Sequence, residues 1–309
     1  MSSGFLLIDV NNLGFAAQSK QKLTVNDMEV QAIFGVIRSI RSIKSMYPNM
    51  TPLILHDGKS WRHKAFAEYK ANRDEVKYEC DKKKIANREA YKAQKPYIKR
   101  ALAALGVTQI SAFNMEADDL AAILIRKYQP QGKKIMMISG DKDWLQLIGP
   151  GVGWRDPVRN RRITMKNLEE ETGLASTEQF LEWKAIVGDK GDNIPGVDGI
   201  GEKGAVDFLK KYDSVKNFII QTLDGTIDTT KLPKKYRRFA EDEKLHIQFE
   251  TAMMLMDLNS KHIPAPAGLK VTKGDLDTEA FEEICRELSF KSILQQMPQW
   301  AEPFERKTA

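Results

Sequence analysis

Three short apolar runs constrain this chain more than any other feature: "FLLIDV" (Phe5–Val10), "TPLILHD" (Thr51–Asp57) and "KKIMMISGD" (Lys133–Asp141). Each is too short for a buried helix and carries no polar alternation, so each reads as a strand buried on both faces. "VTQIS" (Val107–Ser111) is a fourth strand. Between the strands, Val30, Ile33, Phe34, Ile37 and Ile40 keep a helical period that stops before Pro48, and "KPYIKRALAALG" forms a helix closed by Gly106. Strands alternating with helices imply an α/β fold, a mostly parallel central sheet with helices on both faces. Such sheets bind ligands in the crevice outside the carboxyl ends of their strands. Asp9, Asp57 and Asp141 stand at that edge.

The stretch "NMEADDLAAILIRKY" (Asn114–Tyr128) adds Glu116, Asp118 and Asp119 at the mouth of a helix opening near Ala117. The plain alternative is a helix N-cap with acidic first-turn residues, which favour the positive end of a helix. Independent caps would not all fall on one edge of one sheet, so a shared crevice is the better reading. Six carboxylates in one crevice cannot all stay ionised unless protons or metal ions neutralise them. Oxygen-only ligands select hard cations, Mg²⁺ or Mn²⁺. Two such ions, about 4 Å apart, clamp the attacking and leaving oxygens of an in-line phosphoryl displacement. Zinc is disfavoured: His56, His63, His246 and His262 show no ligand spacing, and His56 reads as a packed core residue. Further acids follow as pairs, Asp141 with Asp143 and Asp189 with Asp192.

Net charge is +6 and the pI near 9, but the distribution says more than the mean. Between Lys59 and Arg100 fourteen Lys/Arg face six Asp/Glu, leaving the rest of the chain slightly acidic. A basic segment beside an acidic cluster fits a nucleic-acid substrate. The glycine-rich "GVDGIGEKGA" places Gly196, Gly199 and Gly201 before a helix starting near Glu202. Backbone amides there can approach a phosphate closely, a grip that ignores base sequence. A nucleotide-binding P-loop is excluded by the missing G-x-x-x-x-G-K-[ST] pattern. Cys80 and Cys285 lie far apart, which fits a reducing compartment. With no signal-peptide-like or membrane-length run, the expected location is the cytoplasm.

In combination, "YKANRDE" (Tyr69–Glu75), "EADDL" (Glu116–Leu120), "SGDKDW" (Ser139–Trp144) and "GDKGDNIPGVDGIGEKGA" (Gly188–Ala205) resemble the structure-specific 5′ nucleases, flap endonucleases and bacteriophage 5′–3′ exonucleases. The resemblance runs from Phe5 to about Tyr212 and implies a helix-hairpin-helix DNA-binding region. It implies one metal cluster from Asp9, Asp57, Glu116, Asp118, Asp119 and Asp141 and a second from Asp143, Asp189 and Asp192. Lys70 and Arg73 match the basic pair that reaches the scissile phosphate, and Tyr69 an aromatic that stacks on a base. Lys184 and Lys203 match basic residues near the second metal and in the hairpin, where Gly199 and Gly201 face DNA. The hairpin is also expected to hold K⁺ through backbone carbonyls, with Val197 and Ile200 as candidates.

Residues 74–95 correspond to a helical arch that a 5′ single strand threads, with Lys77, Lys82, Lys83, Lys84, Arg88, Lys92, Lys95, Tyr78 and Tyr91 along a groove. The expected division is a nuclease core at 1–175, a helix-hairpin-helix part at 176–260 and a C-terminal segment at 261–309 with a loose tail, "QWAEPFERKTA". No appended polymerase is visible, so a free-standing monomer of the bacteriophage kind, in host cytoplasm, is expected. Its partner would be DNA with a 5′ single-stranded end or junction, or an RNA–DNA primer, with replication proteins at the C-terminus an open option. A non-catalytic DNA-structure binder on this scaffold would show gaps among the nine acids, and none is found. A ribonuclease or phosphatase on a related sheet would need neither hairpin nor arch.

Overall fold

The computed structural model describes residues 4–74 and 79–305. Strand β1 (Gly4–Asp9) runs directly into helix α1 (Val10–Gln18), and α2 (Gln31–Met46) returns the chain to β2 (Met50–His56). Helix α3 (Glu79–Ala104) leads to β3 (Thr108–Ser111), then α4 (Ala117–Tyr128) and β4 (Lys134–Ile138). A hairpin of β5 (Val152–Asp156) and β6 (Arg161–Ile163) follows, turning at Asn160 in the left-handed region. The helical part contains α5 (Thr177–Val187), α6 (Glu202–Tyr212), α7 (Val215–Leu223), α8 (Lys234–Glu241) and α9 (Glu243–Met256). Strand β7 (Lys270–Thr272) and helix α10 (Thr278–Glu287) then return to the core.

The seven strands form one sheet in the order β7-β3-β2-β1-β4-β5-β6. All pairings from β3 to β5 are parallel, and the two edges, β7 on β3 and β6 on β5, are antiparallel. Strand order reverses at β1, so the switch point lies between β1 and β4, where ligands bind in open α/β sheets. Side-chain alternation divides two apolar layers. Leu6, Ile8, Ile54 and Ile138 pack under α1, α2, α3 and α10, whereas Leu7, Leu55 and Met137 face α4. This second layer continues into Phe208, Phe218 and Phe239, whose rings lie 4.8–6.2 Å apart. Packing thus ties the helical part to the layer on this face of the sheet.

Two expectations about the basic segment change. It does not end before "KPYIKRALAALG": α3 is one helix with Pro96 inside it. Proline in a helix interior costs about 3 kcal/mol, and burial of Tyr91, Ile98, Ala101 and Leu102 against the sheet layer offsets that loss. Nor does Tyr91 line an open groove, because it is buried and its ring closes over Gly14, where a Cβ would collide with the ring. Residues 75–78, Lys77 and Tyr78 among them, lie outside the described residues.

The C-terminal segment also departs from expectation. Trp300 stacks between Phe281 and Phe304 at 5.0 and 6.0 Å, and both Trp300 and Phe304 are buried. Arg41 fastens this turn by donating to the carbonyls of Trp300 and Gln299. The aromatic pair four residues apart puts one apolar face on α2 and α10, so the chain is held through Phe304 rather than loose from Gln299. Among the described residues no helix is long and apolar enough to cross a membrane.

Candidate active site

The backbone places the acids before any side chain acts. Asp9 ends β1, Asp57 follows β2, Glu116 precedes α4 and Asp141 follows β4 by three residues. Asp9 caps α1, its Oδ1 accepting from the Asn12 amide at 2.9 Å and its Oδ2 from the Ser139 hydroxyl at 3.1 Å. Asp57 accepts from the Ala117 amide at 2.8 Å and from the Asn11 side chain. Asp118 accepts from the indole of Trp144, and Asp141 from the Asp143 amide at 2.9 Å. These bonds fix the carboxyls, yet their mutual repulsion remains. Burial and then Asp57 push the Asp9 carboxyl up to about 7. Burial and then Asp143 push Asp141 up to about 8, and burial followed by Asp141 and Glu116 raises Asp118 well above the usual range.

The second set of acids is held by cations. Lys184 on α5 bridges Asp143 at 2.7 Å and Asp189 at 3.0 Å. Burial alone would discharge Lys184, but the two carboxylates keep it protonated. Burial works against Asp189 as well, and Lys184 outweighs it, holding that carboxyl low. Burial raises Asp143 despite Lys184. Asp192 accepts from Arg73 at 2.7 Å and from the Tyr69 hydroxyl at 3.0 Å, with Lys70 at 3.5 Å. Lys70, itself in the left-handed region, also pairs with Glu116. Burial would raise Glu116, but Lys70 and Arg62 hold it at about 2. The two sets therefore meet across Lys70 and Tyr69.

Asp119 is placed elsewhere than the sequence implied. It is fully buried, and both its oxygens are engaged by Arg62 at 3.0 and 3.1 Å. Trp61 Nε1 at 3.3 Å and the Glu116 amide at 3.1 Å complete its partners. A carboxylate with four donors has no lone pair left for a cation, so Asp119 belongs to the framework of the site. Tyr69 is likewise not set to stack: it is buried, its hydroxyl bonded to Glu116 at 2.8 Å as well as to Asp192. Sequence reasoning missed Arg62, Trp144, Asn11 and Ser139. Arg62 sat inside the basic run, where one buried cation is indistinguishable from exposed neighbours.

Do these residues fit metal ions? Asp118, Asp143, Asp189 and Asp192 line a cleft of about 20 Å³ with Arg62 and Tyr69. That is room for roughly one water or a bare cation. The donors are all carboxylate oxygens, the set that hard divalent cations take. Among the described residues no three His, Cys, Asp or Glu side chains are gathered as a group that could hold a metal ion. The fit is therefore one of donor chemistry and space.

Gly199 takes a positive φ of 85°, and Gly201 caps α6 with no side-chain hydrogen bond and no atom within 4 Å of a notional Cβ. The first-turn amides of α6 are thus reachable from outside, with exposed Lys203 beside them. Lys235 also stands here, its ammonium 2.5 Å from where a Cβ at Gly204 would sit. Val197 and Ile200 bury their side chains, and the Val197 carbonyl accepts from the Ile200 amide at 3.1 Å. Lys82, Lys83 and Lys84 are exposed on α3. His56 is buried, bonded to Gln109 at 2.8 Å, and pushed down to about 4 by that burial, a packed residue as its place inside the strand implied.

Family models place the chain. "5′-3′ exonuclease, N-terminal resolvase-like domain" matches residues 4–173, and "5′-3′ exonuclease, C-terminal SAM fold" matches residues 175–271. A 5′–3′ exonuclease of Aquifex aeolicus is 29% identical over 276 residues, covering 89% of this chain and 87% of that protein. A thermostable DNA polymerase I of Thermus filiformis is 30% identical over 294 residues, which is 94% of this chain but 32% of the polymerase. The chain spans about a third of the length of such polymerase relatives. Among solved structures, the bacteriophage T5 D15 flap endonuclease in a pseudo-enzyme–product complex with DNA and metal ions aligns with a TM-score of 0.63. The alignment covers 97% of this chain and 99% of the phage protein at 23% identity, a likeness of fold.

Proposed function

Because the chain belongs to the 5′–3′ exonuclease family, we propose that it hydrolyses phosphodiester bonds in DNA carrying a 5′ single-stranded end or a junction, using Mg²⁺ or Mn²⁺. One feature of the site carries this reading: Asp9 at the end of β1, Asp118 at the start of α4 and Asp141 after β4 stand at the carboxyl edge of the parallel sheet, where burial first and neighbouring carboxylates second raise their carboxyls. Such strain is relieved by cations. Asp9, Asp57, Glu116, Asp118 and Asp141 would hold one ion, and Asp143, Asp189 and Asp192 a second. When bound, the ions supply Lewis acidity to the scissile phosphate and make water a better nucleophile near neutral pH.

The chain's own cations do the remaining work. Lys70 and Arg73 pair here with Glu116 and Asp192. If those acids held divalent ions, the two side chains would be available to the phosphate, where cations offset charge that develops in the transition state. Lys184 holds Asp143 and Asp189 in register and keeps the Asp189 carboxyl low. Duplex DNA would lie on the hairpin, held by α6 amides, Lys203 and Lys235, while the 5′ strand passes along Lys82, Lys83 and Lys84. A K⁺ ion at the carbonyls of Val197 and Ile200 would support the hairpin. On this reading 1–175 is the nuclease core, 176–260 the duplex-binding part, and 261–309 a brace for the core.

The T5 flap endonuclease structure containing DNA and metal ions supports the same assignment by fold. The test uses end-labelled 5′-flap, nicked and blunt duplexes incubated with Mg²⁺, with products sized. Short products from the flap and nick, and fewer from the blunt end, are expected. Tight binding of the flap without any product would identify a non-catalytic binder instead.

A further inference from the structure

Helix α3 touches the site at two points on one face. Arg88 donates to the backbone carbonyl of Arg73, and one turn later Tyr91 reaches under the sheet edge. The Tyr91 hydroxyl donates to Asn11 Oδ1 at 2.9 Å, and Asn11 Nδ2 donates to Asp57 Oδ2. Asp57 Oδ1 is taken by the Ala117 amide at 2.8 Å. The Asn11 amide can be used only one way round. An ionised carboxylate accepts hydrogen bonds, so the nitrogen faces Asp57, and the oxygen then needs the donor that Tyr91 provides.

Packing holds that donor in place. Tyr91 is 1% exposed, with Gly14 against one side of its ring and Phe15 at 4.5 Å. Lys95 stands 5.2 Å over the ring. Asn11, the residue after the strand-to-helix turn at Val10, is 7% exposed. Nothing in the turn itself requires an amide there, since Asp9 already caps α1.

We propose that Asn11 and Tyr91 are positioning residues through which the basic helix α3 sets the orientation of the Asp57 carboxylate. The inference rests on the metal-dependent reading above and adds a link it does not contain: the helix that would carry the 5′ strand also braces a metal ligand. Without the Tyr91 hydroxyl, the Asn11 oxygen loses its donor and the amide is held only by its own bond to Asp57, so it fixes that carboxylate less tightly.

Calorimetric titration of Mn²⁺ into chelator-stripped protein tests this. Partners of metal ligands typically contribute 10–100-fold to affinity, so Tyr91→Phe, which keeps the ring, should bind Mn²⁺ roughly tenfold more weakly. Asn11→Ala should be weakened at least as much. Phe15→Leu, which alters packing on the same ring but no hydrogen bond, should bind as the unmodified chain does. In Tyr91→Phe, saturating Mn²⁺ should restore most of the turnover. Unchanged Mn²⁺ affinity in both Tyr91→Phe and Asn11→Ala, or an equal loss in Phe15→Leu, overturns the proposal. If the unmodified chain bound no Mn²⁺, the metal reading itself would fail first.

Discussion

Replacing Asp119 by asparagine separates the framework of the site from its chemistry. The sequence motif implies that Asp119 is a metal ligand, whereas both its oxygens are engaged by Arg62, Trp61 and the Glu116 amide. Arg62 is 4% exposed, and its other acceptors among the described residues are Glu116 at 3.4 Å and the Leu255 carbonyl at 2.6 Å. Burial opposes its charge, and Asp119 is the chief group that keeps it protonated. The substitution Asp119→Asn would leave a buried guanidinium undercompensated, a change that costs about 3–5 kcal/mol. Native stability is roughly 5–15 kcal/mol, so much of it is at stake. For a chain of this size the melting temperature should fall by roughly 5–15 °C. Scanning calorimetry in chelator reads that fall. Mn²⁺ titration below the transition should show affinity changed far less than in Asp141→Asn, which removes repulsion and should melt no lower than the unmodified chain. An unchanged melting temperature with Mn²⁺ affinity lost would show that Asp119 is a ligand and that the hydrogen-bond count misleads.

In chelator, stability should fall as pH rises from about 4 to about 8. Asp9 and Asp141 keep protons in the folded chain up to about 7 and 8 but lose them near 3.8 when unfolded, so the folded state binds more protons throughout that window. Thermal melts across pH check this, and Mg²⁺ should raise the melting temperature more at pH 8 than at pH 5. Lys203→Ala should weaken every duplex-containing substrate alike and lower the salt slope of binding by about 0.9, as measured by titration over a salt series. Replacing Lys82, Lys83 and Lys84 together by alanine should slow cleavage of tailed substrates and leave blunt-duplex affinity intact; flap cleavage at the unmodified rate would reduce these lysines to a solvated face.

What the sequence revealed followed from local pattern. The runs ending at Asp9, Asp57 and Asp141 gave both the parallel sheet and the edge where acids collect, because strand burial and side-chain direction are set within a few residues. Glycines 199 and 201 were readable for the same reason, since a positive φ and an open helix start are local demands. Partners far along the chain were not. Arg62 reaches Asp119 across 57 positions and Leu255 across 193, and no periodicity marks it. Tyr91 looked like one aromatic in a basic helix until its contact with Gly14 and Asn11 was seen. The β5–β6 hairpin and β7 are too short and polar to announce themselves. Trp300 and Phe304, by contrast, sit four residues apart and could have been read as one helical face.

The buried carboxylates are expected to work through divalent cations. Turnover of a 5′-labelled flap by one protein sample should be followed in sequence: with Mg²⁺, after excess EDTA, and after Mg²⁺ is restored above the chelator. Cleavage should stop in EDTA and return with Mg²⁺ at the original position in the flap. Undiminished cleavage in EDTA would show that the carboxylates at the sheet edge act without divalent cations.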